Sequence, residues 1–329
     1  MIIDTHGHYI APDAISEIEK HPDRFGIRTE WDKEGNPCLG FGDGPLTRPL
    51  RRRLRELEER RELLESRRID LQLVYTWLDV VGYSLPAVKA AAWCRLQNET
   101  LAADIAGKDH LAGLATVPLQ SGKRAAKELS YAVERLGLKG AAIASNVDGT
   151  NLDDREFDPF WEQAESMGAP VVIHPYNVAG HDRMTSYFLN NLIGNPLDTT
   201  LAAASLLFGG VADRHPDLKV VLVHGGGCLP FLIGRLQWGY ERYPQIMGDG
   251  LKKSPVQYLS WFYYDTLLYH QANINHLIEV VGRERVLMGT DYPFPIEDPD
   301  PVATVKKLRL PAEDEAMIFE LNPMLLFRL

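Results

Sequence analysis

Cysteine is scarce in this sequence: three in 329 residues, Cys38, Cys94 and Cys228, far apart and with no CxxC pair. That excludes a disulfide scaffold or a zinc ribbon and fits a reducing cytoplasm. No apolar run reaches the roughly 18 residues that cross a bilayer, so no membrane helix is expected. The opening Met-Ile-Ile-Asp-Thr-His-Gly-His lacks a basic stretch ahead of its apolar residues and does not read as a secretory leader. Positive charge is also short, with 35 Lys and Arg against 45 Asp and Glu and a formal net charge of -10. Nucleic acids and anionic membranes need a basic face, so neither is an expected partner. An anionic small substrate would have to meet locally placed cations. Several catalytic templates are missing as well. There is no GxSxG elbow to accompany the His-Gly-Gly-Gly at 224–227, no GxGxxG after the first strand, and no P-loop glycine before Gly122-Lys123.

What is present is ordinary soluble-protein composition, 45% hydrophobic and 24% charged. A chain of this length buries on the order of 75% of its unfolded surface and needs no staples. Short β-branched runs alternate with helical stretches. Strands are expected at Met1–Asp4, Leu71–Thr76, Leu111–Val117, Ala141–Ala144, Val171–His174, Val220–His224, Phe262–Asp265 and Val286–Met288. Their near-continuous apolar character suits a parallel sheet covered on both faces. Helical periodicity marks 54–66, 87–105, 124–136, 157–167, 199–214, 231–243, 271–281 and 301–308, with a terminal helix at 312–327. Eight such alternations predict a (β/α)8 TIM barrel. Phe25–Pro49, punctuated by Gly35-Asn36-Pro37 and Gly42-Asp43-Gly44, predicts a β-hairpin inserted after strand one. The whole, residues 1–329, is expected to be one domain with a small inserted subdomain at about 25–49.

The histidines carry the chemistry. His6 and His8 end strand one, His174 ends strand five, His224 ends strand six, and Asp291 follows strand eight. Side chains at i and i+2 of an extended segment share a side, and strands one, five and eight of a closed barrel converge at its mouth. Imidazole and carboxylate donors suit Zn²⁺, and equally Mn²⁺ or Fe²⁺. His21, His110, His215, His270 and His276 fit structural or surface roles, while His181 lies in the long 175–198 loop as a weaker candidate for substrate contact. Cys228 has no nucleophile motif around it and is expected to pack.

The segments Asp4-Thr-His-Gly-His, Val-Ile-His174-Pro, His224-Gly-Gly-Gly-Cys-Leu-Pro-Phe and Gly-Thr-Asp291-Tyr-Pro-Phe-Pro together resemble the amidohydrolase-related decarboxylases. The nearest branch is that acting on α-amino-β-carboxymuconate-ε-semialdehyde. The resemblance implies one divalent metal, Zn before Mn or Fe, on His6, His8, His174 and Asp291. It implies His224 as the acid/base acting on a metal-bound water, and Asp291 as a second proton-transfer group in the aromatic decarboxylases. Arg48 would hold a substrate carboxylate and Phe294 would line the pocket. Arg235 would reach the neighbouring subunit's site, which implies a homodimer. Strand four ends Ala-Ala-Ile-Ala-Ser145, without the lysine that bridges two metals, so one metal is expected. Asn191 falls where the family carries a pocket tryptophan, which bears on substrate identity. The implied activity is non-oxidative decarboxylation of a small unsaturated or aromatic acid. Hydrolysis or hydration of a related acid, amide or lactone by the same centre is the alternative.

Overall fold

The computed structural model describes residues 1–247 and 250–329. Its strands are β1 (Ile3–His8), β2 (Ile27–Trp31), β3 (Pro37–Phe41), β4 (Leu71–Tyr75), β5 (Leu111–Gly113), β6 (Ala115–Thr116), β7 (Ala141–Ala144), β8 (Asn146–Val147), β9 (Thr150–Asn151), β10 (Val171–His174), β11 (Val220–Leu222), β12 (Phe262–Asp265) and β13 (Val286–Leu287). Apart from the antiparallel pairs β2–β3 and β8–β9, every pairing is parallel. One sheet runs β1-β4-β5 and the other β13-β12-β11-β10-β7-β6. β5 and β6 are halves of one expected strand, interrupted at Leu114, so each half serves a different sheet. On the opposite side, Thr5 N donates to Met288 O at 2.9 Å, His8 N to Tyr292 O at 2.7 Å and Asp291 N to His6 O at 2.9 Å. β1 is thereby stitched to the segment that follows β13.

Helices cross between successive parallel strands: α1 (Pro12–Lys20) and α2 (Glu58–Ser66) before β4, α3 (Ala87–Ile105) before β5, α4 (Gly122–Leu136) before β7 and α5 (Asp158–Met167) before β10. Then come α6 (Asn195–Phe208) before β11, α7 (Leu229–Arg242) before β12 and α8 (Gln271–Val281) before β13. Parallel pairing requires such crossovers. The strands are apolar because both of their faces are covered: all residues of β7 (Ala-Ala-Ile-Ala) and β10 (Val-Val-Ile-His) are buried. A single hydrophobic cluster runs from Ile3 to Phe327 and takes in Ile27, Leu39 and Phe41 of the β2–β3 hairpin. No described helix is long and apolar enough to cross a membrane.

Several expected boundaries move. β1 continues through Gly7 to His8, because its pairing with β4 resumes at Gly7↔Val74 after a register shift. β11 stops at Leu222, and His224 opens a tight turn. The helix expected at 54–66 is broken between Arg55 and Glu58, and the one at 199–214 begins at Asn195 and breaks at Gly209-Gly210. α1, which opens on Pro12 and buries Ala14, Ile15 and Ile18, was not expected. The terminal helix forms, but its middle turn, Met317–Leu321, is wound as a π-helix ahead of α9 (Asn322–Phe327).

Candidate active site

The C-terminal part of β1, the end of β10 and the segment after β13 bring four side chains to one point. Ligand-capable atoms of His6, His8, His174 and Asp291 all lie within 4.8 Å of one another, and all four residues are buried. Among the described residues no other group of this kind comes together. Alternation along β1 puts the two imidazoles on one side, with ring centroids 5.2 Å apart, and His174 of β10 meets them at 5.4 and 5.0 Å. Tyr75 of β4 closes the back, its ring 5.8 Å from His6 and 4.8 Å from His8.

Hydrogen bonds set which nitrogen faces inward on His6 and His174. His6 Nδ1 donates to Asp265 Oδ2 at 2.8 Å, leaving Nε2 buried without a hydrogen-bond partner. His174 Nδ1 donates to Pro175 O at 2.9 Å, which keeps the lone pair on Nε2. Buried polar atoms are ordinarily paired. An orphaned imidazole nitrogen beside two more rings and a carboxylate is the signature of a cation site, and the donor set fits a divalent metal. Backing one ligand with a carboxylate is what such sites do.

Charge tells the same story. Burial drives His8 down to about 4, and drives His174 well below the usual imidazole range with help from the neighbouring rings. His6 moves the other way. Burial opposes its charge, yet Asp291 and Asp265 on either side raise it to about 10. Asp291 is held well below the carboxylate range despite its burial, because His6, His224 and His8 face it.

His224 sits beside this group, Nε2 3.7 Å from Asp291 Oδ2, with its ring 5.3 Å from that of His6 and 5.4 Å from that of His174. Its backbone is left-handed, φ 56°, as is that of Asp291, φ 64°. Side chains other than glycine are held in that region at a cost, and such residues cluster at functional sites. The three glycines that follow have no room for a side chain. A Cβ on Gly227 would meet Pro196 O at 2.1 Å, one on Gly226 the Tyr264 ring at 2.6 Å, and one on Gly225 the Leu268 side chain at 2.6 Å. Gly225 N also donates to Asp265 Oδ1 at 2.8 Å. Asp265 thus fastens both His6 and the His224 turn.

The other expected residues divide. Arg48 and Phe294 line a cavity of about 730 Å³ together with Trp77, and Phe294 packs on His8 at 5.1 Å between centroids. Asn191 lines a smaller cavity, about 160 Å³, whose wall includes His224, Asp291 and Tyr269. Arg235 lines neither; it is exposed on α7. His181 is hydrogen-bonded to Asn190 at 2.7 Å in an exposed loop. Cys228, expected to pack, is exposed.

Asp265, Trp77 and Asp79 were not singled out in the sequence. Asp265 ends a parallel strand, β12, as His8 and His174 end theirs, which was the available signal. Asp4 was quoted only as part of a motif. It is fully buried and accepts bonds from Gln72, Thr290 and the His6 amide, tying β1 to β4 and to the segment after β13.

Comparison with known proteins follows from this geometry. A family model described as amidohydrolase matches residues 3–329. The 2-amino-3-carboxymuconate-6-semialdehyde decarboxylase of Dictyostelium discoideum is 34% identical over 268 residues, covering 81% of this chain and 75% of that protein. The crystal structure of 5-carboxyvanillate decarboxylase from Sphingomonas paucimobilis superposes with a TM-score of 0.84 at 25% identity, over 100% of this chain and 99% of that one. The dihydroxybenzoic acid decarboxylase of Polaromonas sp. JS666, solved with manganese and 2-nitroresorcinol, shares the fold with a TM-score of 0.80 at 24% identity, over 99% of this chain and 96% of that one.

Proposed function

We propose, from the premise that this chain belongs to the amidohydrolase family, that it is a metal-dependent, non-oxidative decarboxylase of a small aromatic or unsaturated carboxylic acid. One observation carries the reading: a buried His6–His8–His174–Asp291 group with the His224 imidazole at its side and a cavity walled by His224 and Asp291. The scaffold in this reading is one domain, a closed (β/α)8 barrel with an inserted hairpin subdomain. The seam bonds between β1 and the segment after β13 support closure.

His6, His8, His174 and Asp291 would hold one divalent ion. Donor chemistry favours zinc, and manganese, present in the Polaromonas relative, or iron suits the same set. When bound, such an ion supplies a Lewis acid beside the reacting carboxylate. The remaining work belongs to the chain's own side chains. Arg48 binds a substrate carboxylate through charge-assisted hydrogen bonds and fixes the acid's orientation. Phe294 and Trp77 cover the ring or conjugated chain and keep water away, and Asn191 offers an amide to a polar substituent in the smaller cavity. Loss of CO2 breaks the C–C bond and leaves its electron pair on carbon, which must gain a proton. His224 moves that proton, since an imidazole transfers protons well near neutral pH. Asp291 lies on the same side of the pocket and is the second proton-transfer group.

The enzyme in this reading is a cytoplasmic homodimer, its location resting on the sparse cysteines. Phe231, Arg235 and Trp238 recur at helical spacing on α7 and form one exposed stripe, with Phe231 81% and Trp238 57% exposed. Covering that stripe with a second copy would carry Arg235 towards the neighbouring site. The decisive experiment loads the protein with Zn²⁺ or Mn²⁺ and offers carboxylated muconate semialdehydes, hydroxybenzoates and their lactones. Stoichiometric CO2 release is the expected result. Turnover that yields hydrolysis or hydration products without CO2 would overturn it.

A further inference from the structure

Arg48 protrudes from the segment that follows the β2–β3 hairpin, and its side chain is 59% exposed, so nothing in its own segment fixes it. Two residues just beyond the end of β4 do. The guanidinium carbon lies 4.6 Å from the centroid of the buried Trp77 indole, and Nη2 donates to Asp79 Oδ2 at 3.2 Å. Trp77 in turn packs on Phe294 at 5.4 Å, and Phe294 on His8 at 5.1 Å. A continuous train of contacts, Asp79–Arg48–Trp77–Phe294–His8, therefore runs from the outer wall of the larger cavity to the metal-ligand group. Arg48, Trp77 and Phe294 line that cavity, whereas Asp79 does not. Asp79 grips the guanidinium from outside the lining and occupies one of its five donors, leaving the others for a ligand.

We propose that Trp77 and Asp79 are positioning residues that set Arg48 as the receptor for a second carboxylate of the substrate, remote from the one that departs at the metal group, and so select aromatic diacids over monoacids. This deepens the reading of Arg48 given above and rests on it. An exposed arginine ordinarily spends part of its binding energy on freezing its rotamers. Here the indole face and the Asp79 carboxylate freeze it beforehand. The planar fork then presents a fixed edge to a planar carboxylate, while Phe294 supports the ring.

The test is equilibrium binding to the full-length, zinc-loaded protein, with isophthalate as the diacid and benzoate as the monoacid, so no turnover is needed. The parent protein is expected to bind isophthalate at least about tenfold more tightly than benzoate. Asp79→Asn, which keeps an acceptor but removes the charge, should weaken isophthalate about five- to tenfold and leave benzoate unchanged, whereas Trp77→Leu, which keeps apolar volume but removes the π face, should weaken isophthalate by at least as much and benzoate less. Trp77→Phe should restore most of the loss. Zinc content and melting temperature report any merely structural damage, which would weaken both ligands together. Equal binding of the two acids by the parent protein overturns the proposal, as does unchanged or tighter isophthalate binding in Asp79→Asn. Diacid selectivity in a protein that releases no CO2 from any acid would leave this inference standing and remove the decarboxylase reading instead.

Discussion

Asp265 sits one hydrogen bond behind His6 and one behind the His224 turn, so a single carboxylate governs two parts of the site. Replacing it with Asn leaves shape intact but loses the charge that orients the His6 ring. Asp265→Asn should lower zinc affinity about 10- to 100-fold in a chelator competition. His224→Ala belongs to the opposite class. Its side chain lies beside the ligand group and outside it, so bound metal should stay at parental stoichiometry while turnover falls about 10²- to 10⁴-fold. The protonation pattern gives a third residue-level expectation. In the metal-free protein His6 keeps its proton up to about pH 10, whereas His8, at about 4, and His174, held well below the usual imidazole range by burial and the neighbouring rings, have already lost theirs at neutral pH. Metal must displace one proton, that of His6, so apparent affinity rises with pH. From pH 6 to 9 its logarithm should climb by about one per pH unit. A slope near three would mean that all three imidazoles start protonated.

The turn from β11 into α7 shows what a run of glycines accomplishes at the level of an element. His224 and its three followers all have positive φ, and the strand reverses into the helix within van der Waals reach of Pro196, Tyr264 and Leu268. Gly227→Ala places a methyl group against Pro196 O at a backbone angle that alanine resists. A loss of more than about 1 kcal/mol in urea unfolding is expected, together with displaced His224 and reduced turnover. The strands were readable because burial on both faces leaves an uninterrupted apolar run, as in Val171–Ile173 and Ala141–Ala144. Helix boundaries were harder. The break at 56–57, the start of α6 at Asn195 and the whole of α1 depend on which residues find cover in the hydrophobic cluster, and local propensity does not encode that. His6, His8, His174, Asp291 and His224 could be found because each ends or directly follows an apolar strand. Asp265 shares that placement but stands in no recognisable motif. Trp77 and Asp79 gain meaning only once the hairpin folds back and lays Arg48 across them.

At the scale of the whole molecule the open matter is assembly. If Arg235 serves a neighbouring site, Arg48→Ala and Arg235→Ala proteins should each be nearly inactive alone. Mixed and allowed to exchange subunits, they should regain about a quarter of parental CO2 release, because some heterodimer sites contain both arginines. Light scattering of the parent should give twice the 37.0 kDa chain mass. Absence of rescue, or a monomeric mass, removes the shared site. Composition and pattern alone determined the class of this molecule: an acidic, cysteine-poor α/β chain of alternating strands and helices, with histidines at the strand ends where such folds keep their chemistry. Those properties are one-dimensional, since periodicity, charge balance and motif spacing survive in an unfolded chain. Tertiary structure alone decided that four side chains separated by up to 285 positions share a space under 5 Å across, that His6 and not His8 keeps a proton, and that Arg48 is clasped by an indole and a carboxylate. Each of those outcomes depends on distance and burial, which exist only once the chain has folded.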